Sequence, residues 1–460
     1  MIENVIASRY ASTQMQKIFS LKNRYRLERI FWVALLKQQQ MYGLSVSDEI
    51  IKKYESHIDL VDLDSINTRE KILKHDVKAR IEEFNSLVDS EYIHLGMTSR
   101  DLTDNIELIQ IRDALLIIKS EVENCLLVLG NLIEKYKNNL IVARTHNVPA
   151  QLTTIGKKFS DSAVEMMIHY NKLNYEIENL PLRGLKGATG TKQDFLSLFN
   201  GDQLNNMEKN LATFFGFSKI LASCGQVYPR SIDNSFVSTL NLIVSAPSSL
   251  SISIRLLAGN NLITEGFAQN QVGSSAMPHK RNARISERIS GLRSIINGLS
   301  VSALEISGNQ WNEGDVSCSV TRRFLIPDIF FATEGLLLNF QFLLQNLEVN
   351  QDLIREEIEM HKIDLLSSAI LNNLVSQGFG REEAHSAYKK LRNEGKLEFI
   401  SNNEITLNGK KVGNVKLNLE EINQQIGKIK ISLSQECTQI YQDIHSRFKR
   451  VIPSERSLDF

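Results

Sequence analysis

Cysteine and proline are scarce in this sequence, and net charge is absent. Each scarcity closes off a class of protein. The four cysteines, Cys125, Cys224, Cys318 and Cys437, stand far apart and form no CxxC pair. Neither a zinc centre nor a disulfide framework is expected from them; reduced, buried thiols in a cytosolic protein are. Lysine plus arginine (53) equals aspartate plus glutamate (53). A basic surface for nucleic acid is therefore not expected, while a local basic pocket for a small anion fits that balance. No run of about 18 uncharged apolar residues is present, so a membrane span is not expected either. The opening stretch MIENVIASRYASTQMQKIF carries Glu3 and no apolar core, and does not read as a secretory leader.

What is present is helix. Only seven prolines interrupt 460 residues, of which 42% are hydrophobic and 23% charged, a globular profile with room for two to four domains. Ile111, Leu115, Ile118, Val122, Cys125, Leu129, Leu132 and Tyr136 alternate at spacings of four and three. That is one apolar seam along about seven turns, the pattern of a helix packed in a bundle. Long stretches near 150–180, 230–270, 284–308 and 323–348 continue the texture, and helices of this length point to an extended, oligomerising bundle. The glycine-rich turn Arg183-Gly184-Leu185-Lys186-Gly187 through Thr191 is a loop without the order of a phosphate-binding P-loop. Past residue 350 the helices shorten, and Ile405 to Val412 reads as a β-hairpin on an Asn408-Gly409 turn.

Residues 270–282 stand out. They connect two helical stretches yet carry Gly273, Ser274, Ser275, Pro278, His279, Lys280 and Arg281. A connector needs only a few residues, and composition alone fits a solvated loop. The order Gly-Ser-x-x-Met-x-x-Lys-x-Asn, at Gly273, Ser274, Met277, Lys280 and Asn282, says more: it resembles the signature of the fumarase/aspartase superfamily. The resemblance implies that Ser274 is the general base, removing a proton next to a carboxylate. A serine hydroxyl needs closed, electropositive surroundings for that work, which Lys280, Arg281 and nearby amides would supply.

A second segment, Arg144-Thr145-His146-Asn147-Val148-Pro149-Ala150-Gln151, resembles the family's Thr-His motif in the form of its adenylosuccinate lyase branch. Taken alone, His146 reads as a hydrogen-bonded structural histidine. Beside the serine loop, the resemblance implies that it protonates the departing nitrogen, work suited to an imidazole with a pKa near ~6.5. Glu287, a surface helix charge on its own, is implied to pair with His146 and fix its tautomer. A third pair of segments, Lys74-His75-Asp76-Val77 and His94-Leu95-Gly96-Met97-Thr98-Ser99, resembles the same branch. It implies that Lys74, His75 and Asp76 line the substrate pocket, His75 among the catalytic groups, and that Thr98 and Ser99 bind a substrate carboxylate. As isolated residues, Thr98 and Ser99 are ordinary helix caps.

Further matches point the same way. The resemblance gives Arg9 a nucleotide phosphate, a contact that suits a guanidinium, with Tyr10 beside it. It places Gln226, Asn282, Arg288, Ser319 and Arg323 on the substrate, and runs collinearly from about residue 9 to 390. Two departures stand against it. The family's Trp-x-Glu-Arg appears as Trp311-Asn312-Glu313-Gly314, and Ala283 replaces the proline that follows the loop asparagine. Gly314 removes a charge-assisted hydrogen bond worth roughly 1.5–3 kcal/mol, which questions the substrate more than the reaction.

The expected fold is mainly all-α, in three domains: residues 1–98, a long central bundle over 99–350, and a smaller part over 351–460. The family resemblance implies a cytoplasmic homotetramer in which each active site draws on three chains. It implies elimination of fumarate from N-succinyl purine nucleotides, adenylosuccinate and the succinylaminoimidazole carboxamide ribotide, with no metal or organic cofactor. The alternatives are the same elimination from another N-succinyl amine, or a non-catalytic helical assembly on the same fold.

Overall fold

The computed structural model describes residues 3–266, 277, 281–393, 397–401, 404–409 and 413–448. The chain opens with α1 (Val5–Tyr10), α2 (Thr13–Phe19), α3 (Leu21–Met41), α4 (Asp48–Ser56), α5 (Leu63–Leu73) and α6 (Asp76–Val88). The side chains of Asn4, Ser12, Ser20, Ser47 and Asp62 each accept a hydrogen bond from a first-turn backbone N–H. Short polar residues start helices because they take up amides that have no partner inside the helix.

The long rod α7 (Ser99–Tyr136) follows, then the hairpin β1 (Leu140–Thr145) and β2 (Val148–Thr154), and α8 (Ile155–Asn179). After α9 (Gln193–Leu196) and α10 (Gly201–Phe214) come α11 (Ser231–Ile243), α12 (Ser245–Gly259) and β3 (Ile263–Thr264). Then follow α13 (Arg284–Ile306), α14 (Ser317–Gln345) and β4 (Glu348–Val349). The 38 residues of α7 span about 57 Å at 1.5 Å per residue. Its predicted seam is the buried one: Ile111, Leu115, Ile118, Val122, Cys125 and Leu129 are fully buried, each worth roughly 1.5–3 kcal/mol if a large aliphatic. α14 runs parallel to α7, since Arg322 pairs with Glu107 while Gln341 reaches Glu121 at 2.6 Å. α13 returns antiparallel to α14, its Arg288 donating to Asn339 at 3.0 Å. One continuous core joins these helices to the N-terminal ones.

The last part comprises α15 (Gln351–Met360), α16 (Lys362–Leu365), α17 (Ser367–Ser376) and α18 (Arg381–Asn393). After them come β5 (Leu397–Ser401), β6 (Glu404–Gly409), β7 (Gly413–Asn418) and α19 (Leu419–Arg447). Leu366, Ile370, Leu374 and Ala384 form a small separate cluster, while α19 returns to the bundle, burying Cys437 and Ile444.

Four expectations shift. The helix expected from 150 starts at Ile155, because residues 140–154 form a hairpin. The stretch expected as one helix over 230–270 breaks at Val244, where Pro247 has no N–H for the carbonyl of Ile243. By length and composition Ser231–Gly259 reaches what a membrane span requires, contrary to the reading of the sequence; here α11 and α12 pack on α8 and α13. Finally, the expected turn at Asn408-Gly409 moves: both residues still pair in the ladder, with Asn414 and Gly413. The connection falls at 410–412, outside the described residues, and β5 adds a third strand.

Candidate active site

The predicted site residues occupy three separate stations along the bundle. The first is a cavity of about 810 Å³ where α6, α7 and α14 all begin. It brings together His75 and Asp76, Thr98 and Ser99, Gln226, and Ser319 and Arg323. His75 caps α6, its Nδ1 accepting the Lys78 N–H at 3.2 Å; the neutral ring then carries its hydrogen on Nε2. Burial works to raise the Asp76 carboxyl, but Arg80 at 3.3 Å and the Val77 N–H outweigh it and hold it below the usual carboxylate range. Lys74 is exposed in a left-handed conformation (φ 54°) at the end of α5 and is not on the cavity wall.

A lattice of buried charge fixes this station. Asp101, fully buried, takes the Thr98 N–H at 2.9 Å and so caps α7. It also pairs with buried Arg183 and accepts the N–H groups of Lys186 and Gly187 at 2.8 and 3.1 Å. The predicted glycine-rich loop is thus a clamp on the start of α7. One turn on, Asp104 accepts Arg230 at 3.2 Å and the Tyr228 N–H at 3.1 Å. Glu107 pairs with Arg322 and, at 3.0 Å, with Arg24. Burial pushes the Glu107 carboxyl up, and these arginines override it, bringing it down to about 2. Arg322 also meets Asp233 at 2.7 Å and Tyr228. Gly314 lies beside this wall with φ 146°; a Cβ there would stand 3.1 Å from that of Gln226.

The second station lies further along α14. Tyr10 packs on Gly335, and Arg288 lies over the Tyr10 ring at 6.0 Å while bonding Asn339. Arg9 is exposed in the last turn of α1. The flank of the signature loop belongs here: buried Glu265 takes the N–H groups of Ile285 and Ser286 at 2.9 and 2.7 Å, capping α13. Arg281 approaches Glu348 at 3.8 Å, and the Asn282 carbonyl accepts the Arg284 N–H at 2.9 Å. Glu287, exposed, faces Arg255 at 3.9 Å. Ser274 and Lys280, with Gly273, Ser275, Ala276, Pro278 and His279, lie outside the described residues.

The third station is the hairpin tip. Thr145 pairs with Val148, leaving His146 and Asn147 as a two-residue turn with φ 52° and 63°. Two positive φ values match the strand twist, and histidine and asparagine tolerate them better than most side chains do. His146 is exposed there. The Arg144–Glu357 ion pair ties the hairpin to α15.

Distance keeps the stations apart. Ser99 opens α7 and the hairpin follows its far end, about 57 Å away; six residues of β1 can return at most about 20 Å of that. Ser319 and Asn339, twenty residues apart on α14, are separated by about 30 Å. The cavity therefore gathers the residues around His75, Thr98 and Ser319, and His146 is brought nowhere near them within one chain.

A family described as lyase matches residues 7–298. The adenylosuccinate lyase of Saccharomyces cerevisiae is 32% identical over 396 residues, 85% of this chain and 82% of that one. The chain belongs to the adenylosuccinate lyase branch of the fumarase/aspartase superfamily. The adenylosuccinate lyase of Schistosoma mansoni is 31% identical over 401 residues, covering 86% and 84% of the two chains. The solved 3-carboxy-cis,cis-muconate lactonizing enzyme of Pseudomonas putida matches 96% of this chain and 100% of its own with a TM-score of 0.80, at 20% identity. That likeness shows the helical fold of the superfamily.

Sequence reasoning passed over several residues of this adenylosuccinate lyase-branch chain. Arg24, Arg100, Glu107 and Arg322 all line the cavity. A signal was available: Asp101, Asp104 and Glu107 recur every three residues in the first turns of the helix that carries the apolar seam, and buried carboxylates require partners.

Proposed function

We propose that this chain is a cytoplasmic, homotetrameric enzyme that eliminates fumarate from N-succinyl purine nucleotides, adenylosuccinate and the succinylaminoimidazole carboxamide ribotide. The observation that carries the proposal is the division of the motif residues among three separate stations along one helical bundle. Neighbouring copies packed along the rods would juxtapose the cavity of one chain, the His146 hairpin of a second and the signature loop of a third. On this reading residues 1–98, 99–350 and 351–460 are three domains, with the central one making the tetramer.

In the reaction, Ser274 Oγ takes the proton from the carbon next to a substrate carboxylate, and that carboxylate delocalises the carbanion. The electron pair then forms the double bond of fumarate as the carbon–nitrogen bond breaks. His146 gives its proton to the departing nitrogen, and Glu287, across a subunit boundary, orients the imidazole. Thr98, Ser99 and Gln226 hold the succinyl end, while Arg9, Tyr10 and Arg288 take the nucleotide. Fumarate release from adenylosuccinate by the purified protein tests the reading, and absence of turnover overturns it. Gly314 supports a second reading, the same elimination from a different N-succinyl amine, because its conformation leaves the wall beside Gln226 without a side chain. Turnover of another N-succinyl amine in place of adenylosuccinate would select it.

A further inference from the structure

The cavity wall holds a guanidinium that the motifs do not account for. Arg100 is the second residue of α7, next to Thr98 and Ser99, with 14% of its side chain exposed. Its Nη2 donates to Ser319 Oγ at 2.6 Å, and its Nη1 stands 3.3 Å from Asp104. A purely structural ion pair is the simplest account of such an arginine, and the partners argue against it. Asp104 already takes Arg230 through both oxygens and the Tyr228 N–H, so its charge is answered without Arg100. Ser319, meanwhile, accepts from Arg100, which leaves the serine's own hydrogen to donate elsewhere. A guanidinium has five N–H donors in a planar fork, and only two are engaged by these contacts.

We propose that Arg100, acting with Ser319 and the first amides of α7, is the residue that grips a carboxylate of the succinyl group and sets specificity for a dicarboxylate leaving group. The arrangement is a fork of N–H donors, one serine O–H and the start of a helix, converging within a cavity where Arg24, Arg80 and Arg322 already answer carboxylates. Arg322 is spent on Asp233, Glu107 and Tyr228, and Arg24 on Glu107. The proposal deepens the functional reading above and rests on it for the identity of the substrate.

Calorimetry on the full-length protein with succinate and, separately, with AMP tests it. Arg100→Met is expected to weaken succinate binding by about 10- to 100-fold, the loss typical of a charge-assisted contact, while AMP binding stays within about two-fold. KM for the N-succinyl substrate should rise in parallel. Arg100→Lys, which keeps the charge and loses the fork, should fall between, and it serves as the variant if Arg100→Met does not fold. Unchanged succinate affinity in both variants overturns the proposal, as does a loss confined to AMP, which would assign Arg100 to the phosphate. Failure of the wild-type protein to bind succinate also overturns it. A wild-type protein that binds succinate but does not turn over adenylosuccinate instead sinks the functional reading and leaves Arg100 testable by binding.

Discussion

The cavity and the hairpin tip are built on opposite terms. At the cavity, Asp101, Asp104, Glu107 and Asp233 are held by Arg183, Arg230 and Arg322 in a buried lattice, and His75, Asp76, Thr98, Ser99 and Ser319 stand at helix starts. At the tip, His146 sits exposed on a two-residue turn whose only long-range ion pair among the described residues is Arg144 with Glu357. The first region is organised by its own chain. The second presents His146 outward, where, on the proposed reading, a neighbouring chain would meet it.

The sharpest way to break that contrast is at the tip. His146→Asn keeps a residue at ease with positive φ and removes the imidazole proposed to act as the acid. It should cut kcat by about 10²- to 10⁴-fold with an unchanged melting temperature. Mixing this variant with Ser274→Ala, after denaturation and joint refolding, should restore part of the activity, because some shared sites would regain both groups. No recovery would count against sites shared between chains.

At the cavity the larger cost falls on folding. Arg322→Met leaves Glu107 and Asp233 without their main partner, and chemical denaturation should show a loss of about 3–5 kcal/mol. A stable Arg322→Met protein with impaired substrate binding would instead make Arg322 a binding group.

Acid separates the regions next. Burial, helped by Arg80, brings His94 down from 6.5 to about 4, with Trp32 donating to its Nδ1 at 3.0 Å. Below pH 6.5 the unfolded chain takes up a proton that folded His94 refuses. Stability is therefore full above about pH 6.5 and falls progressively toward pH 4, by about 3 kcal/mol in all. His94→Gln should flatten that limb of the stability–pH curve; an identical limb would show that His94 is not its source.

The smallest effect belongs to the tether. Arg144→Met should lower kcat several-fold while KM changes little, since it loosens the hairpin and leaves the cavity intact. A rise in KM alone would place Arg144 on the substrate.

Much of this was legible in the sequence, for physical reasons that differ by element. The seam from Ile111 to Tyr136 was readable because a helix buries side chains at its own period. Thr98 could be read two ways, and it is both a helix cap and a cavity residue. The hairpin at 140–154 was missed because Val148, Pro149 and Gln151 carry no β-alternation and the turn is His-Asn, without glycine. Arg100 was missed because a charge in a first helical turn looks solvated until Ser319, 219 residues on, is seen beside it. The pairing of Glu287 with His146 that the resemblance implies is not formed within this chain, in which Glu287 faces Arg255.

Three helices, α6, α7 and α14, begin at the cavity rim. Each amino end carries the equivalent of about half a positive charge from its aligned peptide dipoles. This potential has no proton to lose. A change in side-chain protonation leaves it in place, so a polyanionic ligand is drawn to the cavity across the whole pH range in which the rods stay folded. A chain with no net charge thus keeps a permanent electrostatic sink at one end of its bundle.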